Sequence, residues 1–202
     1  MRKLLIPILA MACVVVASNI LVQFLVGDWL TWGAFTYPFA FLVTDLTTRI
    51  HGPQAARKVV VVGFVVGLIC SFIGTRIIGE FGPLVTFRIA LGSGLAFLFA
   101  HLTDIWVFQR LRAGSWWRAP LVASCIDTIV FFTTAFSASL VFLEPTNDVA
   151  WAGEHLPLLG FGPVVPLWVS LAVADWCVKI GLAIVALVPF RLVIANLMRK
   201  PA

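Results

Sequence analysis

Residues 58–78 read KVVVVGFVVGLICSFIGTRII, and no charge interrupts them between Lys58 and Arg76. A helix needs about 20 mostly apolar residues to cross a bilayer's hydrocarbon core. This stretch is long enough, so it is read as a transmembrane helix. Working outward, residues 4–26, 31–50, 84–108, 119–143 and 164–190 have the same character. The 202-residue chain is 61% hydrophobic and 11% charged, with a mean hydropathy of +1.06. A soluble domain carries roughly 25% charged residues. The expectation is therefore an all-α integral membrane protein, one domain over residues 1–202, with six transmembrane helices.

Two of the six need comment. Arg2 and Lys3 followed by an apolar run to Ala17 resemble a secretory signal. The apolar character nevertheless continues to Val26, so the segment is read as a retained first helix. The second span contains Gly33, Pro38 and Asp45 and is expected to be broken or tilted at Pro38. Helices of that kind are tolerated where they line a cavity rather than lipid.

The loops set an orientation. Arg2, Lys3, Arg49, Arg57, Lys58, Arg110, Arg112, Arg118, Arg191, Arg199 and Lys200 fall on one side, eleven of the fourteen basic residues. The positive-inside rule makes that side, with both termini, cytoplasmic. The net charge of +5 is mostly this collar and not a nucleic-acid patch. Trp29, Trp32 and Tyr37 on one side, with Trp116 and Trp117 on the other, suit interfacial belts.

Arg76 falls at the opposite end of its span, and six charges remain within the spans: Asp45, Arg88, Asp104, Asp127, Asp175 and Lys179. Each costs at least ~2.5–3.5 kcal/mol at the centre of a membrane helix. They are expected to share a polar interior and to mark the path of a polar solute. Asp175 and Lys179, four apart, pair on one helix face, either as a packing pair or as an anchor at the site. Asp45 and Arg49 have the same spacing, and read as an interfacial pair or as a gate. His101 and Asp104, three apart, are a satisfied pair or a proton relay. Asn19 and Gln23 share a face of the first span and offer both donors and acceptors. Asp127 shares a face with Phe131. A carboxylate beside an aromatic ring suits a planar heterocycle with adjacent N–H donors, although aromatics at helical spacing also simply pack.

Covalent chemistry is not indicated. Leu91-Gly92-Ser93-Gly94 fails as a GxSG serine-protease segment, and the chain has no nucleotide-binding motif. His51, His101 and His155 form no metal set, and the four cysteines have no ligand spacing. Neither a cofactor nor a metal is expected, and the chain is not read as an enzyme.

The stretch TWGAFTYPFAFLVTDLTTRIHGPQAAR at residues 31–57 resembles the queuosine precursor transporter family, also called the vitamin uptake transporter family, of bacterial inner membranes. The likeness extends to Ser18-Asn19, to Arg88 through Asp104, and to Val107 through Arg112. It continues through Asp127-Thr128, Phe131-Phe132, Ala135-Phe136 and Asp175-x-x-x-Lys179. It implies uptake of 7-cyano-7-deazaguanine, or a related 7-deazaguanine base, for salvage into tRNA modification. Asn19, Asp45, Arg49, Arg88, Asp104, Asp127, Asp175 and Lys179 fall on matching positions. Ser124 and His101 stand where asparagine and glutamine are common.

The leading reading is a secondary transporter, with an ion gradient as its energy source and protons as the better-fitting ion. Asp127 accepts the base's N1–H and N2–H, Phe131 with Trp176 or Phe35 stacks on it, and Asn19 and Gln23 read the remaining edge. Asp45, Arg88, Asp175 and Lys179 complete the substrate-facing set, while Arg49, His101 and Asp104 form a gate or proton relay. The alternative is a substrate-capturing subunit of an ATP-energised vitamin or base uptake complex. Partners are then the small-molecule base and the lipid bilayer, not nucleic acid, and a homodimer is compatible with so small a chain.

Overall fold

The computed structural model describes residues 2–80, 82–111, 118–144, 146 and 149–199, with side chains described as far as residue 185. Among the described residues, seven α-helices carry the fold: α1 (Leu5–Leu21), α2 (Trp32–Thr36), α3 (Pro38–His51), α4 (Pro53–Gly74), α5 (Phe87–Arg110), α6 (Arg118–Phe136) and α7 (Leu167–Arg199). By length and composition, four of them can cross a membrane: α4, α5, α6 and the Leu167–Val185 part of α7. Large apolar side chains such as Ile6, Val65, Phe72, Ile129 and Ile184 are exposed around the bundle. Among the described residues, sixteen polar or charged ones are buried inside it, including Arg88, Asp104, Asp127 and Lys179. Apolar surface outside and polar groups within is the arrangement that lipid requires.

Several boundaries differ from the sequence expectation. The first helix ends at Leu21, because the chain turns through Val22 and Gln23 into a small antiparallel hairpin, β1 (Leu25–Val26) with β2 (Leu30–Thr31). The 31–50 stretch is divided into α2 and α3, and Tyr37 between them keeps helical dihedrals (φ −56°, ψ −39°). Helix α4 begins five residues before the expected start. Its first turn, Pro53-Gln-Ala-Ala-Arg57, is too polar for hydropathy to count. The fifth span stops being α-helical at Phe136 and continues as a 3-10 segment, Ala138–Leu143. Two more hairpins join the helices: β3 (Ile78–Gly79) with β4 (Gly82–Pro83), and β5 (His155–Pro157) with β6 (Val164–Pro166). Trp116 and Trp117, expected in an interfacial belt, lie outside the described residues.

Helix α3 is central, packing against α1, α4, α5 and α7, while α5 and α6 form the most extensive pair. That pair approaches backbone to backbone. A Cβ on Gly92 would lie 3.2 Å from the Phe131 carbonyl oxygen and 3.3 Å from the Ala135 nitrogen. Helices α3 and α4 meet at one residue, Gly52 (φ 84°, ψ 167°), which ends the first and precedes Pro53 at the start of the second. Only glycine adopts that conformation without strain of about 1–3 kcal/mol. Gly52→Ala is expected to lower thermal stability in detergent by a free energy of about that size. Unchanged melting would show that the joint relaxes.

Candidate functional site

Two helices, α6 and α7, bring their charges together near the middle of the bundle. From α7, Lys179 Nζ lies 2.7 Å from Asp127 Oδ2 on α6 and 2.5 Å from Asp175 Oδ2 one turn back on α7. Thr128 Oγ1 donates to Asp175 Oδ2 at 3.0 Å and lies 3.3 Å from the same ammonium. Tyr37 OH, reaching in from the α2–α3 junction, donates to Asp127 Oδ1 at 3.3 Å. Asp127 and Lys179 are buried, and Asp175 is only slightly more open. Two carboxylates thus share one ammonium, and a hydroxyl steadies each. The expected Asp175–Lys179 pair is present. Asp127, which has no basic neighbour on its own helix, receives that same lysine from α7.

Tyr37 was expected at an interface; it points inward instead. Its ring lies 5.6 Å below Lys179 Nζ and makes edge contacts with Phe41, Phe97 and His101. His101 is fully buried, stacked on Phe41 at 4.5 Å and tilted against Phe97 at 4.3 Å. Its Nδ1 lies 2.9 Å from Thr44 Oγ1, whose own proton goes to the Ala40 carbonyl at 3.0 Å. A hydroxyl has one proton, so His101 Nδ1 is the donor in that contact. Its Nε2 has no partner. The expected His101–Asp104 relay is not formed, since neither Asp104 oxygen has a hydrogen-bond partner.

Asp104 faces Asp45 across the α3–α5 contact, within hydrogen-bonding reach. Both are buried, and as carboxylates neither can donate, so Asp45 Oδ1 and both Asp104 oxygens are left unsatisfied. The expected Asp45–Arg49 pair is absent as well. Arg49 is exposed on the last turn of α3, and the ion pairs among the described residues are those of Lys179.

Arg88 is committed elsewhere. Fully buried in the first turn of α5, it donates from Nε to the Thr134 carbonyl at 3.2 Å and from Nη2 to that of Ser137 at 2.7 Å. It therefore satisfies carbonyls freed where α6 ends. Hydrogen bonds to charged groups contribute about 1.5–3 kcal/mol each, so Arg88→Met is expected to cost several kcal/mol of stability. Ligand affinity of the folded fraction should stay unchanged; a selective loss of affinity would return Arg88 to the site.

The remaining candidates are scattered. Asn19 donates to the Val15 carbonyl at 2.9 Å and lines a narrow cleft with Tyr37, Ser71 and Ser93. Gln23 is exposed beyond the end of α1, so the shared face with Asn19 does not exist. Phe35 packs on Trp32 at 5.9 Å. Phe131 packs on Phe132 and Phe136 at 5.0 and 6.0 Å, and Trp176 is exposed. Tyr37 and Thr128 were not among the expected site residues. Tyr37 is the chain's only tyrosine and stands immediately before Pro38, a signal that could have singled it out.

Residues 31–194 match a family described as "Putative vitamin uptake transporter". The chain is 34% identical over 205 aligned positions to the "Queuosine precursor transporter" of Escherichia coli (strain K12), covering 93% of this chain and 84% of that one. It is 34% identical to the "Probable queuosine precursor transporter" of Haemophilus influenzae (84% and 70% covered). To the protein so named in Bacillus subtilis (strain 168) it is 31% identical (55% and 58% covered). No solved structure matches.

Proposed function

This chain belongs to the putative vitamin uptake transporter family, and from that premise we propose that it carries 7-cyano-7-deazaguanine, or a related 7-deazaguanine base, across the bacterial inner membrane. It is a multi-pass membrane protein, and its relatives are named as transporters of queuosine precursors, not as enzymes. Those names lend no support to an ATP-energised capture subunit. We read six crossings, with α2 and α3 together as the second, both termini cytoplasmic, and an ion gradient as the driving force.

One observation carries the substrate assignment: the buried Asp127–Lys179–Asp175 cluster. A guanine-like base presents N1–H and N2–H side by side, a forked donor that matches one carboxylate. Lys179 can yield Asp127 to the base and stay on Asp175, so no charge is left alone. Breaking a buried pair costs about 3–5 kcal/mol. Two charge-assisted bonds return about 1.5–3 kcal/mol each, which balances the exchange and keeps binding reversible. The aromatic walls from Tyr37, Phe41 and Phe97 exclude water and strengthen those bonds.

The test is uptake of labelled 7-cyano-7-deazaguanine into cells that cannot synthesise it and lack their own importer. Expression of this chain should restore uptake, and unlabelled base should compete. No uptake from a well-expressed, membrane-inserted protein would sink the reading.

A further inference from the structure

We propose that Asp45 and Asp104 hold one transported proton between their carboxyl groups, and that this proton couples substrate movement to a pH gradient. The inference rests on the transporter reading above. It starts from an arrangement that is unstable without a ligand. Asp104 is completely buried with both oxygens unsatisfied, and Asp45, 4% exposed, faces it with Oδ1 unsatisfied. Two carboxylates a hydrogen bond apart repel; with one proton between them they form a hydrogen bond.

The ligand is a proton and not a metal ion. A hard cation needs a shell of several oxygens, and among the described residues no group of three or more acidic, histidine or cysteine side chains could hold one. Among the described residues, the ion pairs include neither Asp45 nor Asp104. On the two helices themselves, Arg49, His51 and Arg110 are exposed at the ends, Arg88 in the first turn of α5 donates to carbonyls of Thr134 and Ser137, and His101 is turned to Thr44. Of the helices packed against them, α1 (Leu5–Leu21) and α2 carry no charged residue, and α4 carries Arg57 and Lys58, both exposed. On α6 and the described side chains of α7 lie Arg118, Asp127, Asp175 and Lys179. Asp127, Asp175 and Lys179 engage one another.

The pair's place suggests how coupling works. Asp45 and Asp104 each lie six residues from the ends of α3 and α5, roughly 9 Å inward at 1.5 Å per residue. They sit between the central cluster and the end bearing Arg49 and Arg110. Helix α3 begins beside Tyr37, whose hydroxyl rests on Asp127. Losing the proton sets two negative charges against each other and drives α3 from α5. That movement draws Tyr37 off Asp127 and opens the central site toward the same end.

Purified full-length protein in liposomes tests this with labelled 7-cyano-7-deazaguanine. One proton per base gives about tenfold accumulation for each unit of pH difference, since a pH unit is worth 1.36 kcal/mol. D45N and D104N should lose accumulation yet keep exchange of internal for external base, which also shows that they are folded. Accumulation by either variant at the wild-type level would overturn the proposal, as would accumulation driven by a sodium gradient and not by a pH gradient. Infrared spectra give a readout independent of substrate. A protonated-carboxyl C=O band should be present in the wild type, shifted in each single variant and lost in the D45N/D104N double variant. Its absence from the wild type, or its survival in the double variant, overturns the proton site. If wild-type exchange fails while the band behaves as expected, the substrate reading fails and the proton site stands.

Discussion

Lys179→Met is expected to abolish transport and to cost about 3–5 kcal/mol of stability, the penalty for breaking a buried ion pair by removing one partner. The size follows from the geometry. One ammonium serves Asp127 at 2.7 Å and Asp175 at 2.5 Å, and its removal leaves two buried carboxylates with a single hydroxyl each, from Tyr37 and Thr128. Thermal unfolding in detergent, with and without the substitution, measures the loss. The double change Lys179→Met with Asp175→Asn should recover part of it, because one uncompensated charge then goes as well. Equal melting of wild type and Lys179→Met would mean that the cluster is hydrated and worth little.

The second large effect belongs to Asp127→Asn. The substitution preserves shape but turns one acceptor oxygen into an N–H donor that confronts the base's own donors. It also removes the charge that strengthens both bonds. Losing one charge-assisted bond and adding an unsatisfied pair amounts to about 3 kcal/mol or more, roughly a 100-fold weakening of base affinity at 1.4 kcal/mol per tenfold. Lys179 retains Asp175, so stability should fall much less than in Lys179→Met. Binding measured on purified protein separates the two effects. Wild-type affinity in Asp127→Asn would move the recognition site away from this carboxylate.

Hydropathy made the long apolar helices legible, and i,i+4 spacing made the Asp175–Lys179 contact legible. Local spacing says which side chains share a helix face, but not which helix lies opposite. Asp127 therefore looked unpartnered until α7 supplied Lys179, and Asp45 was matched with Arg49 when its neighbour is Asp104, 59 positions away in sequence. Apolar helices in lipid carry no strong polar face to announce their neighbours. Arg88 misled for a related reason. A buried guanidinium suggests a ligand, yet backbone carbonyls at a helix end engage Nε and Nη2 and leave Nη1 alone without a partner, and sequence does not reveal where another helix will finish. Tyr37 was placed at an interface because tyrosines commonly sit there; the turn into α3 carries it inward.

The one-residue joint at Gly52 has a mechanical consequence. With no slack between α3 and α4, a displacement of α3 is passed directly to α4, whose Val61, Val65, Leu68 and Phe72 are exposed on the outside of the bundle, where a membrane helix meets lipid. The bilayer then becomes part of the load that the moving helices work against. Acyl-chain length and stiffness, through hydrophobic mismatch, set the turnover rate alongside the charges at the centre.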